Sequence, residues 1–153
     1  MQRMFLAIIV AMMGFVNPTQ ATGGDIKGVW LTQKDEKNAK IEIGECKGDP
    51  RKLCGKIVWL EEPLRDGKPK TDLNNPASNL KERPLMGLEL LKNFTKSDST
   101  TWENGKIYNP EDGETYSCTI RLTQDDNGNE VLEVHGYVGI ELLGKTQYWI
   151  RSQ

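Results

Sequence analysis

Gly139, Gly144, Lys145 and Thr146 have the spacing Gly-x-x-x-x-Gly-Lys-Thr of a phosphate-binding loop. That chemistry needs a parallel strand followed by a helix whose N-terminal amides face the phosphates. Only seven residues follow Thr146, and Gln147 to Ile150 reads as a strand, so Gly144 is expected to turn a hairpin instead. The run Asp125 to Glu130 holds the oxygen ligands a calcium loop uses. Counted from Asp125, however, its sixth position is Glu130 rather than glycine and its twelfth is Gly136 rather than an acid, so it reads as a turn. Zinc would find one histidine, His135, and no Cys-x-x-Cys pair; no metal and no other cofactor is expected. His135 could serve a serine nucleophile as base, but no serine sits in a strand-turn-helix elbow, and no residue is assigned a catalytic role. The carboxylates Glu61, Glu62, Asp66, Asp72 and Asp112 would matter for hydrolysis only if the fold set two of them face to face.

Cys46 and Cys54 bracket a turn-forming segment between two strand-like runs. In an oxidising compartment they are expected to pair, stabilising the fold by roughly 2.5 kcal/mol. Cys118 is left over and is expected to be a buried free thiol.

The elements that would position these groups are short alternating runs separated by turns. Tyr116, Cys118, Ile120 and Leu122 fall on one face of a strand, and Thr115, Ser117, Thr119 and Arg121 on the other. Asn127-Gly128 then makes a hairpin, because both residues accept positive φ. Further strands are expected over 28–32, 41–43, 53–60, 89–94, 100–102, 106–108, 131–138 and 145–151. The count of eight or nine suits an all-β fold, a small antiparallel barrel or sandwich. Residues 61–87 break the rhythm with Pro63, Pro69, Pro76 and Pro84, and form one long irregular loop, either a lid or a passive cover. One helical turn is expected there over 79–83.

The N-terminus has the grammar of a cleavable signal peptide. Arg3 precedes Met4 to Val16, an uncharged apolar run of about thirteen residues, and Thr19-Gln20-Ala21 supplies small residues before the cleavage site. The run is shorter than the roughly twenty residues a spanning helix needs. Cleavage is expected after Ala21, leaving 22–153 as a single domain in the periplasm or outside the cell. The 20 basic residues less Arg3, set against 22 acidic ones, give that domain a net charge of −3. With no Lys/Arg block, neither nucleic acid nor an anionic membrane surface is an expected partner, stable membrane insertion is not expected, and no protein partner is indicated.

Several motifs run in order through the rest of the chain: Gly28-Val29-Trp30, Leu53 to Leu60 with Trp59, Asp72-Leu73-Asn74-Asn75-Pro76, and Arg83-Pro84-Leu85-Met86-Gly87. Trp102, Gly105, Tyr108, Pro110, Gly113 and Tyr116 follow, then Gly136-Tyr137 with Gly139, and Leu143 to Arg151. The series resembles the bacterial exported family catalogued as domain of unknown function 2147. The resemblance implies a bacterial periplasmic or secreted setting and a lipocalin-like β-barrel. Calycins are similar in opening with Gly-x-Trp and in placing an arginine on the last strand. Trp30 and Arg151 are therefore expected to stack across one barrel end, a structural role.

Three functions remain open. The first is a non-catalytic envelope protein holding a small hydrophobic or lipid-like ligand, with Trp59, Asp72, Asn75, Arg83, Tyr108, Tyr116 and Tyr137 as its binding residues. The second is an interaction or maintenance protein whose barrel is filled by its own side chains. The third is a hydrolase using loop carboxylates. An open interior of several hundred cubic ångströms favours the first, a packed one the second, and carboxylates clustered in a cleft the third.

Overall fold

Alternation of apolar and polar residues dictates the strands. In the computed structural model, which describes residues 24–33 and 38–152, they are β1 (Gly28–Thr32), β2 (Ala39–Cys46), β3 (Asp49–Leu60), β4 (Leu64–Arg65), β5 (Lys68–Pro69), β6 (Glu89–Lys96), β7 (Thr101–Asn109), β8 (Glu114–Gln124), β9 (Glu130–Tyr137) and β10 (Lys145–Arg151). On β2, Ile41 and Ile43 are buried while Glu42 between them is exposed. Residues 1–21, the expected signal peptide, lie outside the described residues.

Eight strands close a barrel in the order β1-β10-β9-β8-β7-β6-β3-β2, with every neighbouring pair antiparallel. The fold is all-β and lipocalin-like. β1 pairs with both β2 and β10, so Trp30 stands opposite Ile41 on one side and Arg151 on the other. Closure leaves no unpaired edge to recruit another chain. The inward side chains, among them Trp30, Ile43, Phe94, Ile120, Leu132 and Trp149, form one continuous core. Each large one stabilises the fold by roughly 1.5–3 kcal/mol relative to exposure.

Two expected strands, 100–102 and 106–108, are one. β7 runs unbroken from Thr101 to Asn109 because an irregularity carries it through Asn104, at φ +60°, and Gly105. A Cβ on Gly105 would lie 2.4 Å from the Phe94 ring, so the glycine is where that ring packs against the strand. The glycine and asparagine that look like a turn in the sequence are a bulge in the strand.

The loop from 61 to 88 has its own structure. β4 and β5 pair through a two-residue turn with Asp66 at φ +51° and Gly67 at +74°, the positive pair such a turn needs. A single 3-10 turn covers Ser78–Leu80, one residue ahead of the helical turn expected over 79–83. The loop then rejoins the barrel through Ile57: its N–H donates to the Leu88 carbonyl at 2.9 Å, and its carbonyl accepts from Gly87 N at 2.8 Å.

The two barrel ends differ. One carries the β2–β3, β6–β7 and β8–β9 turns, the leading segment 24–27 and the end of β10. Cys46 and Cys54 are bridged there, with Cα atoms 4.9 Å apart, fastening the β2–β3 hairpin. The other end carries the segments 61–88, 110–113 and 138–144. Cys118 is a buried free thiol within the barrel, and burial pushes its pKa up to about 12. Burial thus favours the neutral thiol over the thiolate.

Candidate functional site

Side chains pointing inward near the second end do not meet. They leave a cavity of about 740 Å³. Its wall is apolar, made by Ile41, Ile57, Leu90, Ile107, Val134 and Trp149. Its collar is polar, with Lys70, Asn74, Asp112, Tyr116 and Tyr137 on the segments and strand ends around the mouth. A site of this size, apolar within and polar at the rim, suits a small amphiphilic molecule.

The 61–88 segment is held over one side of the collar by a buried polar clasp. Asp72 is fully buried, and its Oδ1 accepts the Tyr108 hydroxyl at 2.6 Å. Its Oδ2 accepts Asn75 Nδ2 at 2.8 Å, Arg83 Nε at 2.8 Å and Arg83 Nη2 at 2.7 Å. Asp72 N also donates to the Arg83 carbonyl at 2.9 Å. Burial would push the Asp72 carboxyl up. The hydrogen bonds from Tyr108, Asn75 and Arg83, with the guanidinium charge, outweigh it and hold the group below the usual carboxylate range. The Tyr108 hydroxyl is correspondingly raised, by burial first and then by its bond to Asp72. The clasp ties the loop to β7, since Tyr108 belongs to that strand.

A second tie sits at the 110–113 turn. Asn74 Nδ2 donates to the Pro110 and Glu111 carbonyls at 3.2 and 2.9 Å. Gly113, at φ +75°, permits this approach, because a Cβ there would lie 2.0 Å from the Asn74 carbonyl oxygen. Asp112 accepts the Tyr116 hydroxyl at 2.6 Å, Asn109 Nδ2 at 3.0 Å and Glu114 N at 2.8 Å. Burial acts against its charge, but these donors prevail and its carboxyl is lowered.

The sequence-derived binding residues thus divide three ways. Tyr108, Tyr116 and Tyr137 line the cavity. Asp72, Asn75 and Arg83 are brought together, but as the clasp behind the wall rather than on its surface. Trp59 does not line the cavity. A register shift between Lys40 and Ile41 pairs Trp59 with Lys40 on the outside of the barrel, where the Lys40 ammonium lies 5.7 Å from the indole centroid. The apolar wall was not singled out from the sequence. Its signal was the inward alternation of β2, β3, β7 and β9, which marks core and cavity wall alike.

Trp30 and Arg151 meet at the opposite end, with the guanidinium carbon 4.2 Å from the indole centroid. Arg151 also donates to the Lys27 carbonyl at 3.0 Å, the Asp25 carbonyl at 2.9 Å and the Glu130 carboxylate at 2.5 Å. Trp30 Nε1 donates to the Ile26 carbonyl at 2.8 Å, and Ile26 is buried beneath. The pair seals the end away from the cavity.

The other motifs are absorbed structurally. β10 begins at Lys145, so no helix follows Gly144, and the Thr146 hydroxyl lies 2.7 Å from His135 Nδ1. The Asp125 carboxylate accepts Asn127 N, Asn129 N and Asn129 Nδ2, each at 2.9 Å, within its own turn. Among the described residues, no group of three or more His, Cys, Asp or Glu could hold a metal ion. Nor, among them, is any helix long and apolar enough to cross a membrane.

A closed eight-stranded antiparallel barrel with an apolar cavity at one end and a Trp–Arg seal at the other has the architecture of the lipocalins. Protein HP1028 from Helicobacter pylori, described as belonging to the lipocalin family, is similar at 27% identity and a TM-score of 0.69 over 84% of each chain. Residues 28–151 match the family described as uncharacterized protein conserved in bacteria (DUF2147), and the chain belongs to that family. No curated protein matches it.

Proposed function

We propose that this protein is an exported, non-catalytic envelope barrel that binds one small amphiphilic molecule, its apolar part against Ile41, Ile57, Ile107 and Val134 and its polar head at the tyrosine-lined collar. The observation that carries the reading is the cavity of about 740 Å³, apolar inside and ringed by hydroxyls, amides and charges at its mouth. The likeness to a lipocalin-family protein supports it at the level of fold. The 61–88 segment serves as the cover of the site, held closed by the Asp72 clasp. Export rests on Arg3, the apolar run 4–16 and Thr19-Gln20-Ala21, which the bacterial family membership suits.

The test is native mass spectrometry of protein isolated from its own cell envelope, paired with titration of the emptied protein with Nile red. A bound small molecule, and saturable dye binding abolished by Ile107→Trp with the circular dichroism spectrum unchanged, are the expected results. Ile107 lines the cavity, and an indole there fills part of it. Absence of a bound molecule together with dye binding indifferent to Ile107→Trp would overturn the reading and leave the interaction protein in its place.

A further inference from the structure

Lys145, Gln147 and Trp149 alternate onto the inner side of β10, running from the mouth down to the core, and all three line the cavity. Gln147 stands roughly 7 Å below Lys145, beside Val134 of the apolar wall. Its amide is not free to turn. Trp149, 1% exposed, brings its indole Nε1 within 3.1 Å, and an indole N–H can only donate, so the atom it meets is the amide oxygen Oε1. The amide nitrogen Nε2 has no partner among the described residues. It is not walled in either. Every buried side-chain nitrogen and oxygen among those residues is bonded, so Nε2 opens on the cavity that Gln147 lines.

The rest of the polar lining is spent differently. Tyr108 and Tyr116 donate their hydroxyls to Asp72 and Asp112, and the amide nitrogens of Asn74 and Asn109 donate to the 110–113 turn. The hydroxyls of Thr32, Thr71 and Tyr137 can rotate to donate or accept, and so select nothing. Arg65, Lys70, Lys145, Glu111 and Asp112 put both signs of charge at the mouth and leave the net charge of a ligand open. Gln147 combines a fixed orientation, an apolar setting and a group that only donates. A hydrocarbon lying there would strip water from its N–H groups and return nothing, whereas an acceptor oxygen restores the bond.

We propose that the ligand of this site is an acyl compound whose carbonyl oxygen accepts from Gln147 Nε2, its apolar chain continuing down the wall and the rest of its head reaching the collar. The inference rests on the cavity reading above and adds the class of molecule. A carbonyl suits the position better than a hydroxyl, because it brings no donor hydrogen into the apolar surroundings of Val134 and Trp149. Gln147 also satisfies the Trp149 N–H, and two variants separate the roles.

The experiment measures displacement of Nile red from protein produced from the full-length gene. The probes are methyl octyl ketone, decanoate, and the alkene in which CH₂ replaces the ketone oxygen. Gln147→Met keeps the length of the side chain and removes its donors; it should weaken the carbonyl probes about five-fold and leave the alkene within about two-fold. Gln147→Glu keeps an acceptor for Trp149 yet offers no N–H, and should show the same selective loss. A loss confined to decanoate assigns the carbonyl to a free acid, and one confined to the ketone to an uncharged acyl group; either sustains the class. Carbonyl binding kept by Gln147→Glu but lost in Gln147→Met would place the role in the packing of Trp149 and overturn the proposal. A ketone-to-alkene ratio equal in all three proteins would overturn it too. In both cases Nile red still binds and the cavity reading stands, whereas wild-type protein that takes up no dye would overturn the two together.

Discussion

The sealed and open ends of the barrel use similar residue types for opposite purposes. At the sealed end, Arg151 lies over Trp30, donates to two backbone carbonyls and pairs with Glu130, while Ile26 and the Cys46–Cys54 bridge close the base. At the open end, Arg83 lies 5.6 Å from the Tyr108 ring centroid and pairs with a carboxylate, Asp72. Both ends thus have an arginine beside an aromatic ring and bound to an acid. The difference lies in what each holds. Arg151 joins β10 to the leading segment beside β1, its neighbour in the sheet, whereas the Asp72–Arg83–Tyr108 cluster joins an irregular segment to the barrel. Stability of the domain should therefore depend on both ends, and ligand capture on the open one alone.

The largest test of that division is Asp72→Ala. Removing the carboxylate leaves the Tyr108 hydroxyl, the Asn75 amide and the Arg83 guanidinium without their acceptor. Breaking a buried pair from one side costs several kcal/mol; since Arg83 is one-third exposed and water can reach it, the expected loss is about 2–4 kcal/mol in urea denaturation. Hydrogen exchange should accelerate across 70–85 and stay unchanged at the sealed end. The pH dependence follows from the depressed carboxyl: the clasp's stabilisation is complete above the unfolded aspartate value near 3.9 and is lost as pH falls through the lower folded value. Asp72→Asn should remove that acid-side decline, and an unaltered decline would show that other carboxylates, Asp112 first, govern it.

The next test belongs to the sealed end. Replacing both Cys46 and Cys54 by alanine should lower stability by roughly 2–3 kcal/mol, with Nile red affinity unchanged. A parallel loss of affinity would mean that the two ends are mechanically coupled through β2 and β3.

Arg151→Lys should cost less, about 0.5–2 kcal/mol. A lysine keeps the charge near the indole but cannot serve two carbonyls and Glu130 from one planar fork. Thermal unfolding measures the loss, and dye binding should again be indifferent. A selective loss of binding with stability intact would reverse the assignment of mouth and base.

How much of this was legible in the sequence depended on the range of the signal. Strands β8, β9 and β10 could be read from local alternation and the Asn127-Gly128 turn. The disulfide was legible because Cys46 and Cys54 flank a turn-forming segment between strand-like runs, and the Trp30–Arg151 pair through the resemblance to calycins. The continuity of β7 was not: Asn104-Gly105 looks like a turn, and only the Phe94 ring from β6 explains why the strand carries on. The site was half legible for the same reason. Tyr116 alternates with Cys118 and Ile120 onto the inner face, whereas Tyr108 and Tyr137 have the opposite parity to Ile107 and Val134 and line the cavity from the strand ends; whether Asp72, Asn75 and Arg83 face a ligand or one another depends on where a 28-residue loop, 61–88, returns, and no local pattern encodes that. Trp59 failed through a register shift, which moves one side chain from inside to outside without altering the sequence pattern around it.

That residue supplies the finest test. Trp59 lies near the open end, two residues beyond Ile57 on a strand whose inward side chains wall the cavity, and simple alternation would send it inward. The shift opposite Lys40 and Ile41 sends it out, leaving it 40% exposed with the ammonium of half-buried Lys40 5.7 Å from its ring centroid. An exposed contact of that kind is worth about 0.5 kcal/mol, and a surface substitution away from the core changes stability by a similar amount. Trp59→Ser should thus leave urea denaturation almost unmoved and Nile red affinity unchanged, while Ile57→Ser, inward on the same strand, should impair both. If Trp59→Ser instead weakened binding as Ile57→Ser does, the register of β2 against β3 would be wrong, the wall of the open end would have to be redrawn around the indole, and the division between the two ends would lose its sharpest boundary.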